Sequence, residues 1–118
     1  MASILVIDDD ALNREIMEAF LDAHRVIMAR DGHSGLQQAR AQVPDLILLD
    51  AKMPDLSGYA VCQQLKADAQ TAHIPVLMIT GYNSEEDRQS ATQAGADAFL
   101  TRPFDAAEFL ELVRVLLG

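Results

Sequence analysis

Three short acidic or polar clusters and one basic residue hold most of the chemistry this 118-residue sequence can do. Asp8-Asp9-Asp10 ends one apolar run, Asp50 ends a second, Thr80 ends a third, and Arg102-Pro103 follows a weaker fourth. Carboxylates brought together in a partly buried site repel one another, and they either take up protons or demand a cation. With oxygen donors only, and no His or Cys at ligand spacing, that cation is a hard one. Few protein ligands completed by water favour Mg²⁺ over Ca²⁺. A carboxylate beside Mg²⁺ can attack phosphorus when the ion neutralises the transferring oxygens, because phosphoryl transfer asks the protein mainly for position and positive charge. Taken singly, an Asp after a strand is more often a helix N-cap than a ligand, and Asp10 carries that alternative for the first helix. The functional reading rests on all four clusters standing at strand ends together.

The elements that must position them follow from the apolar pattern. Ile4-Leu5-Val6-Ile7, Leu46-Ile47-Leu48-Leu49 and Val76-Leu77-Met78-Ile79 are continuous rather than alternating, as strands buried on both faces of a parallel sheet are. Arg25–Ala29 and Ala98–Thr101 are weaker strand candidates. Helical spacing predicts a helix from about Leu12 to Ala23, with Leu12, Ile16, Ala19, Phe20 and Ala23 on one side. A last helix carries Phe109, Leu112, Val113, Leu116 and Leu117. The helix near Ser84–Ala94 has only Ala91 and Ala94 as apolar anchors and is expected to be the most loosely held. Asp31-Gly32, Pro44-Asp45, Ser57-Gly58 and Gly95 punctuate the chain where elements should begin or end. The order reads βαβαβαβαβα over residues 1–118 as one domain: a doubly wound parallel sheet with helices on both faces. In such sheets the carboxyl ends of the strands meet at a crevice, which would bring the four clusters into one pocket.

Composition excludes several classes. The formal net charge is −9 and the nine basic residues are scattered, so direct binding to nucleic acid is not expected. The apolar runs are far shorter than the ~18 residues of a membrane span. Met1-Ala2-Ser3 lacks a basic leader and three aspartates follow Ile4–Ile7, so the sequence reads as cytoplasmic. Cys62 sits where a small buried hydrophobe fits, and His24, His33 and His73 show neither ligand spacing nor a paired nucleophile.

The runs Ile4-Leu5-Val6-Ile7-Asp8-Asp9-Asp10, Asp45 through Met53-Pro54 to Gly58, Ile74-Pro75 to Thr80, and Arg102-Pro103-Phe104 resemble the receiver domain of two-component response regulators, over essentially the whole chain. The resemblance implies a flavodoxin-like sheet of order 2-1-3-4-5 with five helices. It implies that Asp50 is the phosphoacceptor, with Mg²⁺ held by Asp9 and Asp50 directly, by Asp8 through water and by the backbone carbonyl of Lys52. Thr80 matches the hydroxyl that moves to the phosphoryl group, and Phe99 the aromatic whose rotamer follows. The implied donor is the phosphohistidine of a sensor histidine kinase or a histidine phosphotransfer protein. The implied output surface is the fourth helix, fifth strand and fifth helix, contacting a downstream protein or an output domain. Such a chain catalyses only its own phosphorylation and dephosphorylation and is not a turnover enzyme.

The sequence departs from that family at the residue before Pro103, where Arg102 replaces the usual lysine. A guanidinium is larger, planar and fixed in donor geometry. Three outcomes are open: Arg102 contacts the phosphoryl group with bidentate bonds, it turns away, or another cation replaces it. Lys52 is the accessory cation considered for that role, against the plainer reading of a solvated loop lysine. Gly81, often Ala in the family, loosens the backbone beside Thr80 and is read as phosphoryl-contacting. Tyr82 could shield an aspartyl phosphate, and Arg102-Pro103 is a candidate cis peptide. The substitution at Arg102 also keeps a pseudoreceiver, an interaction module without phosphorylation, as the alternative function. An aspartate-nucleophile phosphatase would need a carboxylate where Lys52 stands. A flavin phosphate would meet three aspartates in place of a phosphate cradle.

Overall fold

The structure is a computed structural model and describes residues 1–81 and 84–118; Tyr82, and with it the shielding role considered above, lies outside the described residues. Every apolar run of the sequence is a strand: β1 (Ser3–Ile7), β2 (Arg25–Ala29), β3 (Leu46–Asp50), β4 (Val76–Thr80) and β5 (Ala98–Thr101). Helices α1 (Ala11–Phe20), α2 (Gly32–Gln42), α3 (Gly58–Ala67), α4 (Glu85–Ala94) and α5 (Ala106–Leu117) alternate with them. All pairings are parallel and the sheet order is β2-β1-β3-β4-β5, as expected. Order reverses between β1 and β3, so the crevice opens above the carboxyl ends of those two strands.

Five side chains start the five helices. Asp10, Asp31, Ser57, Ser84 and Asp105 each have extended backbone and accept an N–H of the following first turn. The central strands β1, β3 and β4 are buried on both faces, and two apolar layers cover them. One layer joins Leu36, Val61, Leu65 and Ala91 from α2, α3 and α4 to the sheet. The other joins Met17, Leu21, Phe109 and Val113 from the α1 and α5 side. Phe109 stacks on Phe104 with ring centroids 5.3 Å apart and meets Phe20 at 5.7 Å.

The first helix corrects the sequence reading. It ends at Phe20, not near Ala23, and its buried side is Met17, continued by Leu21, while Leu12 and Ile16 are exposed. Asp10 caps the helix immediately after β1, and the packing of Met17 and Leu21 into the apolar layer on that side of the sheet sets its rotation about its own axis. Apolar residues occur on two adjoining stripes, so spacing alone did not choose between them. In α4 the two apolar anchors read from the sequence, Ala91 and Ala94, are its buried residues.

The loop from β3 to α3 returns tightly over the site, and Gly58 permits this. A Cβ there would collide with the Asp50 carbonyl oxygen and stand 2.8 Å from Ala51 Cα, whereas one on Gly81 would meet nothing within 4 Å. In urea denaturation, Gly58→Ala is expected to lose about 1–3 kcal/mol of stability by overpacking a backbone that has no rotamer to yield. Gly81→Ala should stay within about 0.5 kcal/mol of the parent.

Candidate functional site

The carboxyl ends of the strands deliver the clusters to one cavity of about 470 Å³. It is lined by Asp8, Asp9, Asp10, Asn13, Asp50, Lys52, Thr80, Gly81 and Arg102. Asp8 leaves β1 and is fully buried; its backbone N–H bonds Ala29 O at 3.1 Å, which extends the sheet pairing one residue beyond the strand. Asp50 is the last residue of β3 and is 9% exposed, and Thr80 closes β4 in a buried position. The backbone N–H of Arg102 donates to Thr80 O at 2.7 Å, fixing where its side chain starts. The Arg102–Pro103 peptide is cis.

Carboxylate oxygens of Asp8, Asp9 and Asp50 lie within 4.8 Å of one another. Burial raises the pKa of Asp50 to about 6, and the neighbouring Asp8 charge adds to this, while Arg102 pulls it down. Burial also raises Asp8, opposed by the Asp10 N–H and by Arg102. Two buried carboxylates displaced upward, with an exposed third beside them, form an all-oxygen set short of positive charge. Those residues fit a hard divalent ion such as Mg²⁺. Asp10 does not join the set; its Oδ1 accepts the Leu12 N–H at 2.9 Å as the helix cap.

Arg102 turns into the pocket. Its Nη2 donates to Asp8 Oδ2 at 2.9 Å, and its Nη1 stands 3.5 Å from Asp50 Oδ1, at the outer limit of a hydrogen bond. The short bond therefore goes to Asp8 rather than to Asp50. Lys52 lines the same cavity, and its backbone N–H bonds the Asp50 carboxylate. Phe99 lies on β5, packed in part against the α3 and α4 layer, with the Arg88 guanidinium 4.9 Å from its ring centroid.

Sequence reading missed two supports of the site. Asp55 accepts the N–H groups of Gly32 at 3.0 Å and His33 at 2.9 Å, clasping the β3–α3 loop to the start of α2. The Gly32 bond leads the causes that hold its carboxyl down at about 2. Arg14 donates through Nη1 to the Asp8 backbone carbonyl at 2.8 Å, bracing the loop after β1. An Asp three residues before Gly58 gives no local hint of a partner on another helix.

The family model described as the response regulator receiver domain matches residues 4–114. The chain belongs to the response regulator receiver family. It is 43% identical over 117 residues to the response regulator PleD of Caulobacter vibrioides, covering 98% of this chain and 26% of that protein. The polar-differentiation response regulator DivK of Brucella ovis is 32% identical over 118 residues, covering 98% of this chain and 96% of DivK. Among solved structures, the receiver domain of sensor histidine kinase PA1611 from Pseudomonas aeruginosa PAO1 superposes with a TM-score of 0.92. It is 29% identical, with 99% of this chain and 98% of that one covered, and it holds a magnesium ion in its active-site cleft. This chain thus spans about a quarter of PleD and nearly all of DivK. Receiver domains accept phosphoryl groups rather than turning over a substrate. No helix among the described residues is long and apolar enough to cross a membrane.

The sign of the Asp50 shift sets a pH test. A carboxyl whose folded pKa is raised binds its proton more tightly when folded, so metal-free stability falls as pH rises from its ordinary 3.8 through about 6. In thermal denaturation without divalent ions, Asp50→Asn is expected to gain stability over the parent across that window and to hold a constant advantage above it. Saturating Mg²⁺ should shrink the gain at neutral pH.

Proposed function

We propose that this receiver domain takes a phosphoryl group from a phosphohistidine onto Asp50 and thereby switches a protein-binding surface. The observation that carries the reading is the buried Asp8–Asp50 pair, with Asp9 at its rim and with Thr80 and Arg102 facing the same cavity. Asp8, Asp9, Asp50 and the Lys52 carbonyl would hold magnesium, which when bound supplies the charge that neutralises the transferring oxygens. Ionised Asp50 attacks the phosphorus in line: an O–P bond forms, the P–N bond to the donor histidine breaks, and its electron pair stays on the imidazole. The Thr80 hydroxyl and the Gly81 N–H then donate to phosphoryl oxygens, and Arg102 and Lys52 are the cations within reach of them.

The added charge biases Thr80 and Phe99 between two arrangements. Phe99 carries Arg88 of α4 on its ring, so its rotation would release a tie between β5 and α4. Tyr59 on α3 holds the same helix through its hydroxyl, which donates to Asp87 Oδ1 at 3.2 Å. The face of α4, β5 and α5 is the output surface in this reading, contacting a downstream protein or an output domain in the cytoplasm.

The donor must cover the mouth of the cavity. An apolar groove of about 450 Å³ formed by Ile16, Met17, Phe20 and Phe104 adjoins it and shares Asn13 and Arg102 with it. Exposed Leu12 and Ile16 lie on that side of α1. A phosphohistidine protein seated there would present its ring to Asp50.

Arg102 on Asp8 is the one observation that favours the pseudoreceiver, because it places a cation on a carboxylate otherwise given to the metal. Incubation with Mg²⁺ and acetyl phosphate, read by intact mass, separates the two: a phosphoryl adduct is expected on the parent and none on Asp50→Asn. An unlabelled parent, with acetyl phosphate and with phosphorylated donors alike, would establish the pseudoreceiver. Lys52→Ala is expected to slow adduct formation by about tenfold, the worth of one charge-assisted hydrogen bond in the transition state.

Ile16→Glu separates docking from chemistry. Labelling by acetyl phosphate should proceed at the parent rate, while transfer from a phosphorylated histidine phosphotransfer protein should slow by at least about tenfold, as burying an unpaired charge in an interface requires.

A further inference from the structure

Asp8 has no oxygen left uncommitted to a protein donor. Its Oδ1 accepts the Asp10 N–H at 2.9 Å and its Oδ2 accepts Arg102 Nη2 at 2.9 Å, and the residue is fully buried. Each oxygen keeps a second lone pair, so an ion held by Asp8, directly or through water, meets a donor already in place, and at Oδ2 that donor is the charged guanidinium. Sharing sets two cations on one oxygen in a site where solvent screens them poorly, so displacement is the lower-energy course. The other contact of the fork, 3.5 Å to Asp50, is too long to hold it in place.

A displaced fork has somewhere to go. Arg102 is tied at its backbone by the 2.7 Å bond to Thr80 O, so only the side chain need move. It lines the groove of Phe20 and Phe104 as well as the acidic cavity. Guanidinium planes stack on aromatic faces, so those rings offer the freed group an alternative partner.

We infer that Arg102 is the built-in counter-ion of Asp8, that magnesium must displace it, and that this competition sets the metal affinity of the site. Arg102 is then a positioning residue whose substitution tightens metal binding. A lysine cannot reproduce the planar guanidinium, and its ammonium on a flexible stem is held less firmly against Asp8 Oδ2. The inference rests on the receiver reading only in taking magnesium as the resident ion.

Titration of the ¹⁵N-labelled protein with MgCl₂ tests it, following the backbone amides of Asp9, Asp50 and Gly81 for affinity and the Arg102 Nε–H for the fork. Arg102→Met and Arg102→Lys are each expected to bind magnesium about tenfold more tightly than the parent, the worth of one charge-assisted hydrogen bond. In the parent, the Arg102 Nε–H signal should move in step with the amides. Arg102→Lys keeps the charge and supplies the comparison should Arg102→Met not fold. Parent affinity within twofold of both variants, or an Arg102 signal unmoved at saturation, overturns the inference. Magnesium binding by none of the three proteins overturns it together with the receiver reading. Tightened binding in the variants, with no phosphoryl adduct on any of them, supports the inference and counts against the phosphoacceptor reading alone.

Discussion

Mutual repulsion among Asp8, Asp9 and Asp50 is the constraint on which the rest of this structure depends. The strands that bring them together are buried on both faces, so the backbone cannot relax to separate the charges. Desolvation and proximity raise both buried carboxyls, and the protein answers with donors placed around them: the N–H groups of Asp10 and Lys52 and the fork of Arg102. A site built this way is tense without an added cation and stable with one. That balance fits the site to a divalent cation.

The two faces of the sheet are held by different forces. On the α1 and α5 side, Phe20, Phe104 and Phe109 interlock and bury large apolar area, which is worth roughly 25 cal/mol per Å² and is non-directional. On the opposite side α4 contributes only two alanines to the core and relies on directional ties, Tyr59 to Asp87 and Arg88 to Phe99. Directional ties can be exchanged one for another at little net cost, whereas a packed aromatic cluster resists repacking. The two faces of the sheet thus differ in how readily they can rearrange.

Asp55 and Lys66 show how much of the site is braced from outside it. Asp55 fastens the loop carrying Lys52 and Met53 to α2. Lys66 joins the Ile74 carbonyl to Asp97 Oδ2, which also accepts the Val76 N–H, and so aligns the starts of β4 and β5. Strand ends are placed by such clasps at both ends of the sheet, since small shifts there would change the separation of the carboxylates.

The residues alone determined the strands, the Asp10 cap and the grouping of polar residues at carboxyl ends, because each of these is a property of a few neighbouring positions. Continuous apolar runs bury on two faces, Asp and Ser before a helical segment cap it, and alternation of strand and helix forces parallel pairing. Tertiary structure decided which stripe of α1 faces inward, where Asp55 finds its donors, and that Arg102 grips Asp8 from 94 residues away. A long charged side chain selects among several acids of similar distance by packing and desolvation, quantities that exist only once the sheet has assembled. Local spacing therefore names the groups that meet in the pocket, while the partner each one takes is settled by the three-dimensional field around it.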